Sequence, residues 1–134
     1  ANVLRGLGEI ERRHGNNDLA RRHYSDARGL CQKVGDRLGE ANVLLGLGHL
    51  ESTLGNHDLA RQHYSDTRGL YQKVGDRLGE ANVFWGLGDL ERALGKMDAA
   101  RQNYERAAAL FDSIGMKEYA AAMRTRRDSL EKKN

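Results

Sequence analysis

Apolar and small side chains recur along the chain at helical spacing and stop at regular intervals. Ala20, Tyr24, Ala27, Cys31 and Val34 step by four, three, four and three residues, and Val3, Leu7 and Ile10 do the same upstream. Each set therefore falls on one stripe of a helix. Gly15, Gly55 and Gly95 follow the last residue of a first helix, where a left-handed cap is wanted. Asn16 or Asn56 is placed to cap the helix that comes next, a role that Lys96 breaks in the third copy. Val-Gly-Asp at 34–36 and 74–76 ends the second helix and offers Asp36 or Asp76 as N-cap for the following one. The pattern predicts helix, tight turn, helix, tight turn, repeated.

The repetition has a fixed period. Residues 1–40, 41–80 and 81–120 are three versions of one forty-residue unit, the first two nearly identical. Such a unit buries its apolar face only against its neighbours, which predicts a stacked array whose function lies on a surface. Residues 121–134 continue the register as one more first helix, with Arg124 and Arg127 where Leu4 and Leu7 stood. That charged pair predicts a polar C-terminal capping helix over 117–132. The expected fold is all-α: three helix-turn-helix repeats plus the cap, seven helices in a single domain over 1–134. The chain opens in mid-repeat without an initiator Met and reads as a fragment of a longer protein. Its first helix is then uncapped, and end-to-end self-association through exposed apolar surface is expected.

Composition narrows the function classes. Sixteen glycines and no proline suit uninterrupted helices only in part, since Gly6, Gly8, Gly29 and Gly39 fall inside or near them at about 0.5–1 kcal/mol each. Close helix packing is expected to offset this at Gly8, Gly48 and Gly88, and the other glycines to leave the array soft. No apolar run approaches the ~20 residues of a membrane span, and the mean hydropathy is -0.75. Net charge is +3 from 22 basic and 19 acidic residues, too near balance to argue for nucleic acid, and part of the excess sits in the terminal helix. The single Cys31 excludes an internal disulfide and favours an intracellular, cytoplasmic setting.

The residues at six positions of each unit carry a resemblance. Leu4, Leu7, Gly8, Ala20, Tyr24 and Ala27 recur as Leu44, Leu47, Gly48, Ala60, Tyr64 and Thr67, then as Phe84, Leu87, Gly88, Ala100, Tyr104 and Ala107. This resembles the tetratricopeptide repeat (TPR) signature, and it implies a right-handed superhelical solenoid. Glu11, Glu51 and Glu91 stand where that family usually has a tyrosine, and the unit is forty residues instead of about thirty-four. The longer form, with its Gly-Asp-Arg-x-Gly-Glu linker at 35–40 and 75–80, is similar to the repeats of Pins-type polarity adaptors and of STAND (NB-ARC) signalling ATPases.

The resemblance also implies where a ligand sits. In such proteins the first helix of every unit lines a concave groove through positions 2, 5, 9, 12 and 13. Here these are Asn2, Arg5, Glu9, Arg12 and Arg13; Asn42, Leu45, His49, Ser52 and Thr53; Asn82, Trp85, Asp89, Arg92 and Ala93. The first two units differ at ten of forty positions, and four of the ten are groove positions, where five in forty predicts about one. Either drift of exposed positions or adaptation to a partner accounts for this. Other stretches read as exposed, 23–26 and 32–37, are unchanged between the copies. An amide at Asn2, Asn42 and Asn82 suits binding of a peptide backbone, or bonding to a neighbouring helix. Trp85 is the best single hot-spot candidate, unless it packs on the capping helix. The carboxylate clamp of chaperone-binding relatives has no counterpart: its places hold Arg5, Glu9, Gly46, Asn82 and Gly86.

Catalytic and metal signatures are not apparent. The five histidines, His14, His23, His49, His57 and His63, lack a paired i,i+4 arrangement, and Cys31 aligns with Tyr71 and Phe111 as a packing position. No cofactor is implied. The expected function is a non-enzymatic protein-interaction scaffold that holds an extended peptide or a partner helix in its groove. The alternative is a structural or self-association module of a larger STAND-type ATPase.

Overall fold

The computed structural model describes residues 16–131. Among the described residues there are six α-helices and no strand: α1 (Asn17–Val34), α2 (Arg37–Thr53), α3 (His57–Val74), α4 (Arg77–Ala93), α5 (Met97–Ser113) and α6 (Lys117–Glu131). The expectation of seven is thus met by six, because the first predicted helix, with its proposed role in self-association, lies outside the described residues. The chain groups into two compact units, Ala1–Val74 and Gly75–Asn134.

Local chemistry sets the helix ends. Asp36 Oδ1 accepts from the Gly39 backbone N–H at 2.8 Å and Asp76 Oδ1 from Gly79 at 2.9 Å, satisfying a donor that the first helical turn leaves open. Asn16 accepts from Leu19 N–H at 3.4 Å, while Lys96 makes no side-chain cap bond. At the C-terminal ends, Gly35 and Gly55 take φ of 73° and 83°, the left-handed conformation that a Cβ disfavours.

In the first unit α2 lies against both α1 and α3. It accordingly buries a broader face, including Val43, Leu44, Leu47 and Leu50, whereas α1 buries the single stripe Ala20, Tyr24, Ala27 and Cys31. Side chains such as Leu44 and Leu50 lose all exposure, worth about 1.5–3 kcal/mol each. In the second unit α5 lies against α4 and α6, and Phe84, Tyr104, Phe111, Met123 and Leu130 share one core.

Three expectations need correction. Val34 continues the apolar period of α1 but is 75% exposed, because it is the last residue of the helix and overshoots the core. Tyr24 is fully buried, so the unchanged 23–26 stretch is partly core. Glycine softness is also more local than composition suggested. A Cβ on Gly48 would stand 2.7 Å from the Tyr64 ring and one on Gly88 2.6 Å from Tyr104, as expected; but one on Gly46, the counterpart of Gly6, would stand 2.8 Å from Tyr24, and one on Gly39 2.9 Å from Cys31 Sγ. These glycines admit rings and a cap that a methyl would displace. An added Cβ at Gly29 or Gly69 meets nothing within 4 Å among the described residues, so no close packing offsets their cost to the helix.

A candidate protein-interaction face

Residues at steps of three, four and three along a helix share a face, so Asn42, Leu45, His49 and Ser52 form one stripe on α2. All four are half-buried. Buried tyrosines of α3 hold two of them from beneath. The Tyr71 hydroxyl donates to Asn42 Oδ1 at 2.5 Å, and the Tyr64 hydroxyl lies 2.7 Å from His49 Nδ1, with the rings edge-on at 5.5 Å. This tyrosine bond cannot recur at Asn82, since the residue equivalent to Tyr71 in the next unit is Phe111, which carries no hydroxyl.

The equivalent stripe on α4 is Asn82, Trp85, Asp89 and Arg92. The first three are half-buried and Arg92 is exposed. Asp89 Oδ1 accepts from the Tyr104 hydroxyl at 2.5 Å. Burial first, and then this bond to a carboxylate, push the Tyr104 phenol well above its ordinary value. Trp85 meets the Phe111 ring edge-on at 6.3 Å and Tyr119 at 6.3 Å, and the Arg126 guanidinium lies over its face, 5.5 Å from the centroid. Asn2, Arg5, Glu9, Arg12 and Arg13 lie outside the described residues.

Sequence reasoning missed the tie between positions 9 and 24. His49 and Asp89 both meet a buried tyrosine hydroxyl, and the signal was present: position 24 is always Tyr, and position 9 is always a group able to accept a hydrogen bond, Glu9, His49 or Asp89. It foresaw that Trp85 could pack on the capping helix, but not the ion pairs that tie α6 to α5. Arg124 and Arg127, placed as a solvent-facing cap, reach back to α5, Arg124 to Asp112 at 2.8 Å and Arg127 to Glu105.

A second feature lies away from the stripe. Glu51, at a position where the resemblance expects tyrosine, is 2% exposed. It receives Arg21 in a two-pronged pair, Nε to Oε2 at 2.9 Å and Nη2 to Oε1 at 2.8 Å, and Asn56 Nδ2 at 2.9 Å. The Arg21 hydrogen bond outweighs desolvation and holds the Glu51 carboxyl below the usual range. The pair borders an open cleft of about 440 Å³ lined also by Ser25, Arg28, Gln32 and His63. Burial pulls the His63 imidazole below its ordinary value. Arg28 and Gln32 both bond Glu40 Oε2, at 3.3 and 2.9 Å, so the cleft offers paired charges. No stripe residue lines it. Among the described residues no group of three His, Cys, Asp or Glu side chains is arranged to hold a metal ion, and no helix is long and apolar enough to cross a membrane.

Paired helices repeating every forty residues, with a varied stripe on the first helix of each pair, define a helical-repeat protein. The comparisons agree. The sequence profile described as tetratricopeptide repeat matches residues 1–73 and again 40–113, and the chain belongs to that family. No curated protein matches it. Among solved structures, the crystal structure of BtubC (BKLC) from P. vanneervenii superposes with a TM-score of 0.71 at 18% identity over 97% of this chain. The chain spans 62% of that protein's length. At this identity the likeness speaks for the fold.

Proposed function

We propose that the chain is a non-enzymatic scaffold that binds an extended peptide or a partner helix in the concave groove expected of its family, through the first-helix stripes Asn42, Leu45, His49, Ser52 and Asn82, Trp85, Asp89, Arg92, with Asn2, Arg5, Glu9, Arg12 and Arg13 continuing them in the first repeat. One observation carries the reading. The stripes keep side chains of differing chemistry at least partly exposed on a scaffold whose buried face repeats at most positions and changes at a few, such as Cys31, Tyr71 and Phe111, and two tyrosine hydroxyls on α3 and one on α5 orient their polar members. An aliphatic residue at Leu45 and an aromatic at Trp85 supply contact area, and the amides supply backbone recognition. The packing of Trp85 against α6 favours a second reading, in which the face serves packing within a larger protein such as a STAND-type ATPase.

The test uses fluorescently labelled peptides selected from a random displayed library against the full chain, followed by the anisotropy of the label, since Trp85 is the single tryptophan and its replacement removes the intrinsic signal. Saturable binding weakened at least about tenfold, roughly 1.4 kcal/mol, by Leu45→Arg and by Trp85→Ala is expected. Saturable binding that neither change affects would show that the stripes are not the site.

A further inference from the structure

Trp85 and Asp89 already hold a ligand of a kind, and it comes from the chain itself. Arg126 of α6 lies with its guanidinium 5.5 Å from the Trp85 centroid and its Nη1 3.7 Å from Asp89 Oδ1. We propose that Trp85, Asp89 and the Tyr104 hydroxyl form a subsite for the guanidinium of an arginine on a protein partner, and that Arg126 occupies this subsite in the free chain and yields it on binding. The proposal rests on the reading of the α4 stripe as part of the binding face.

The subsite is built and its occupant is loosely held. The Tyr104 hydroxyl fixes Asp89 through Oδ1 at 2.5 Å, and Phe111 and Tyr119 hold the indole from its edges, leaving a ring face and a carboxylate converging on one cation. A planar, weakly hydrated guanidinium fits both, stacking on the ring while donating to the carboxylate, which an ammonium does less well. Arg126 uses this geometry poorly. At 3.7 Å its contact with Asp89 is an ion pair without a hydrogen bond, and the two side chains remain 37% and 42% exposed. The neighbouring Arg124 reaches Asp112 at 2.8 Å, and Arg127 is bonded at Nε to Asp128 at 2.9 Å and at Nη1 to Glu105. Of the three arginines of α6, Arg126 thus makes the longest approach to its nearest carboxylate. Arg92, which also acts on Tyr104, adds positive charge nearby; exchanging Arg126 for a partner's arginine keeps the local balance unchanged, whereas adding a second cation does not.

An occupant tethered in the same chain competes at high effective concentration, and its removal raises the apparent affinity of a ligand that needs the same place. The experiment titrates the full chain with the capped peptide Ac-Gly-Ser-Arg-Ser-Gly-amide, and with its citrulline counterpart, following the Trp85 indole N–H by NMR. Arg126→Ala and Arg126→Gln are expected to bind the arginine peptide about tenfold more tightly than the parent chain. Neither should respond to citrulline, and adding Asp89→Asn to Arg126→Ala should abolish the response. Gln at 126 keeps a good helix former should Ala alone disturb α6. Equal binding of the arginine peptide by parent and both variants, or equal binding of citrulline, overturns the proposal. Library-selected peptides separate the two claims: if Leu45→Arg and Trp85→Ala weaken them but arginine-free peptides bind as tightly, the face stands and the arginine subsite falls.

Discussion

Replacing Arg21 by Met tests the claim that a buried charge pair, and not the aromatic residue usual in the family, locks the second repeat's first helix to the helix before it. The substitution keeps an unbranched apolar stem and removes both prongs from Glu51, which is 2% exposed and retains Asn56 at 2.9 Å. Breaking a buried pair costs about 3–5 kcal/mol when the remaining charge is sealed from water. Here the Arg21 side chain is 36% exposed, so water reaches the vacated side and about 2 kcal/mol is expected. For a chain of this size that lowers Tm by about 8 °C. Titration supplies a second readout. The folded Glu51 carboxyl lies below its unfolded value, so its stabilising contribution is complete above the ordinary glutamate value of about 4.3 and disappears as pH falls through the lower folded one. The parent chain should lose stability across that acidic window, and Arg21→Met should lose less there, having less to lose. Replacing Glu51 as well, by Met, should recover much of the deficit, since no unpaired charge then remains. Urea denaturation of the three proteins at pH 7 and at pH 3 gives the comparison. A single-variant cost under about 0.5 kcal/mol, typical of exposed pairs, with an unchanged acid profile, would refute the reasoning.

Glycine substitutions should diverge in sign. Gly48→Ala drives a methyl to 2.7 Å from the fully enclosed Tyr64 ring and should destabilise by about 1–2 kcal/mol after the gain in helix propensity, whereas Gly69→Ala, with nothing within 4 Å, should stabilise α3 by about 0.5–1 kcal/mol; thermal unfolding distinguishes them. Thr67 is fully buried and its hydroxyl has no partner among the described residues, so the near-isosteric Thr67→Val should stabilise by about 1 kcal/mol, and a loss of stability in urea would show that the hydroxyl is satisfied.

What was legible in the sequence was what depends on a few adjacent residues. Asp36 and Asp76 cap the helices that follow them and Gly55 and Gly95 turn with positive φ, because each interaction closes within a turn. The core stripe was legible for Ala20 to Cys31 but failed at Val34, since periodicity carries no information on where the neighbouring helix stops. The bond of Asp89 to Tyr104 spans two helices, and only the constancy of tyrosine opposite a changing acceptor hinted at it. The cover of Arg126 over Trp85 depends on how α6 lies beside α4, which no local pattern encodes. Of the stripe residues, Asn42, His49 and Asp89 are half-buried and tied to the scaffold, so the change from His49 to Asp89 between copies is bounded by a hydrogen bond to tyrosine.

Backbone amide chemical-shift mapping of a library-selected peptide on the isotopically labelled full chain tests the central claim most directly, because the proposed stripes and the cleft beside Glu51 share no residue. The account predicts that shifts concentrate at Leu45, His49 and Ser52 and at Asn82, Trp85 and Asp89. Shifts concentrated instead around Arg21, Arg28 and His63, in the cleft between α1 and α3, would contradict it.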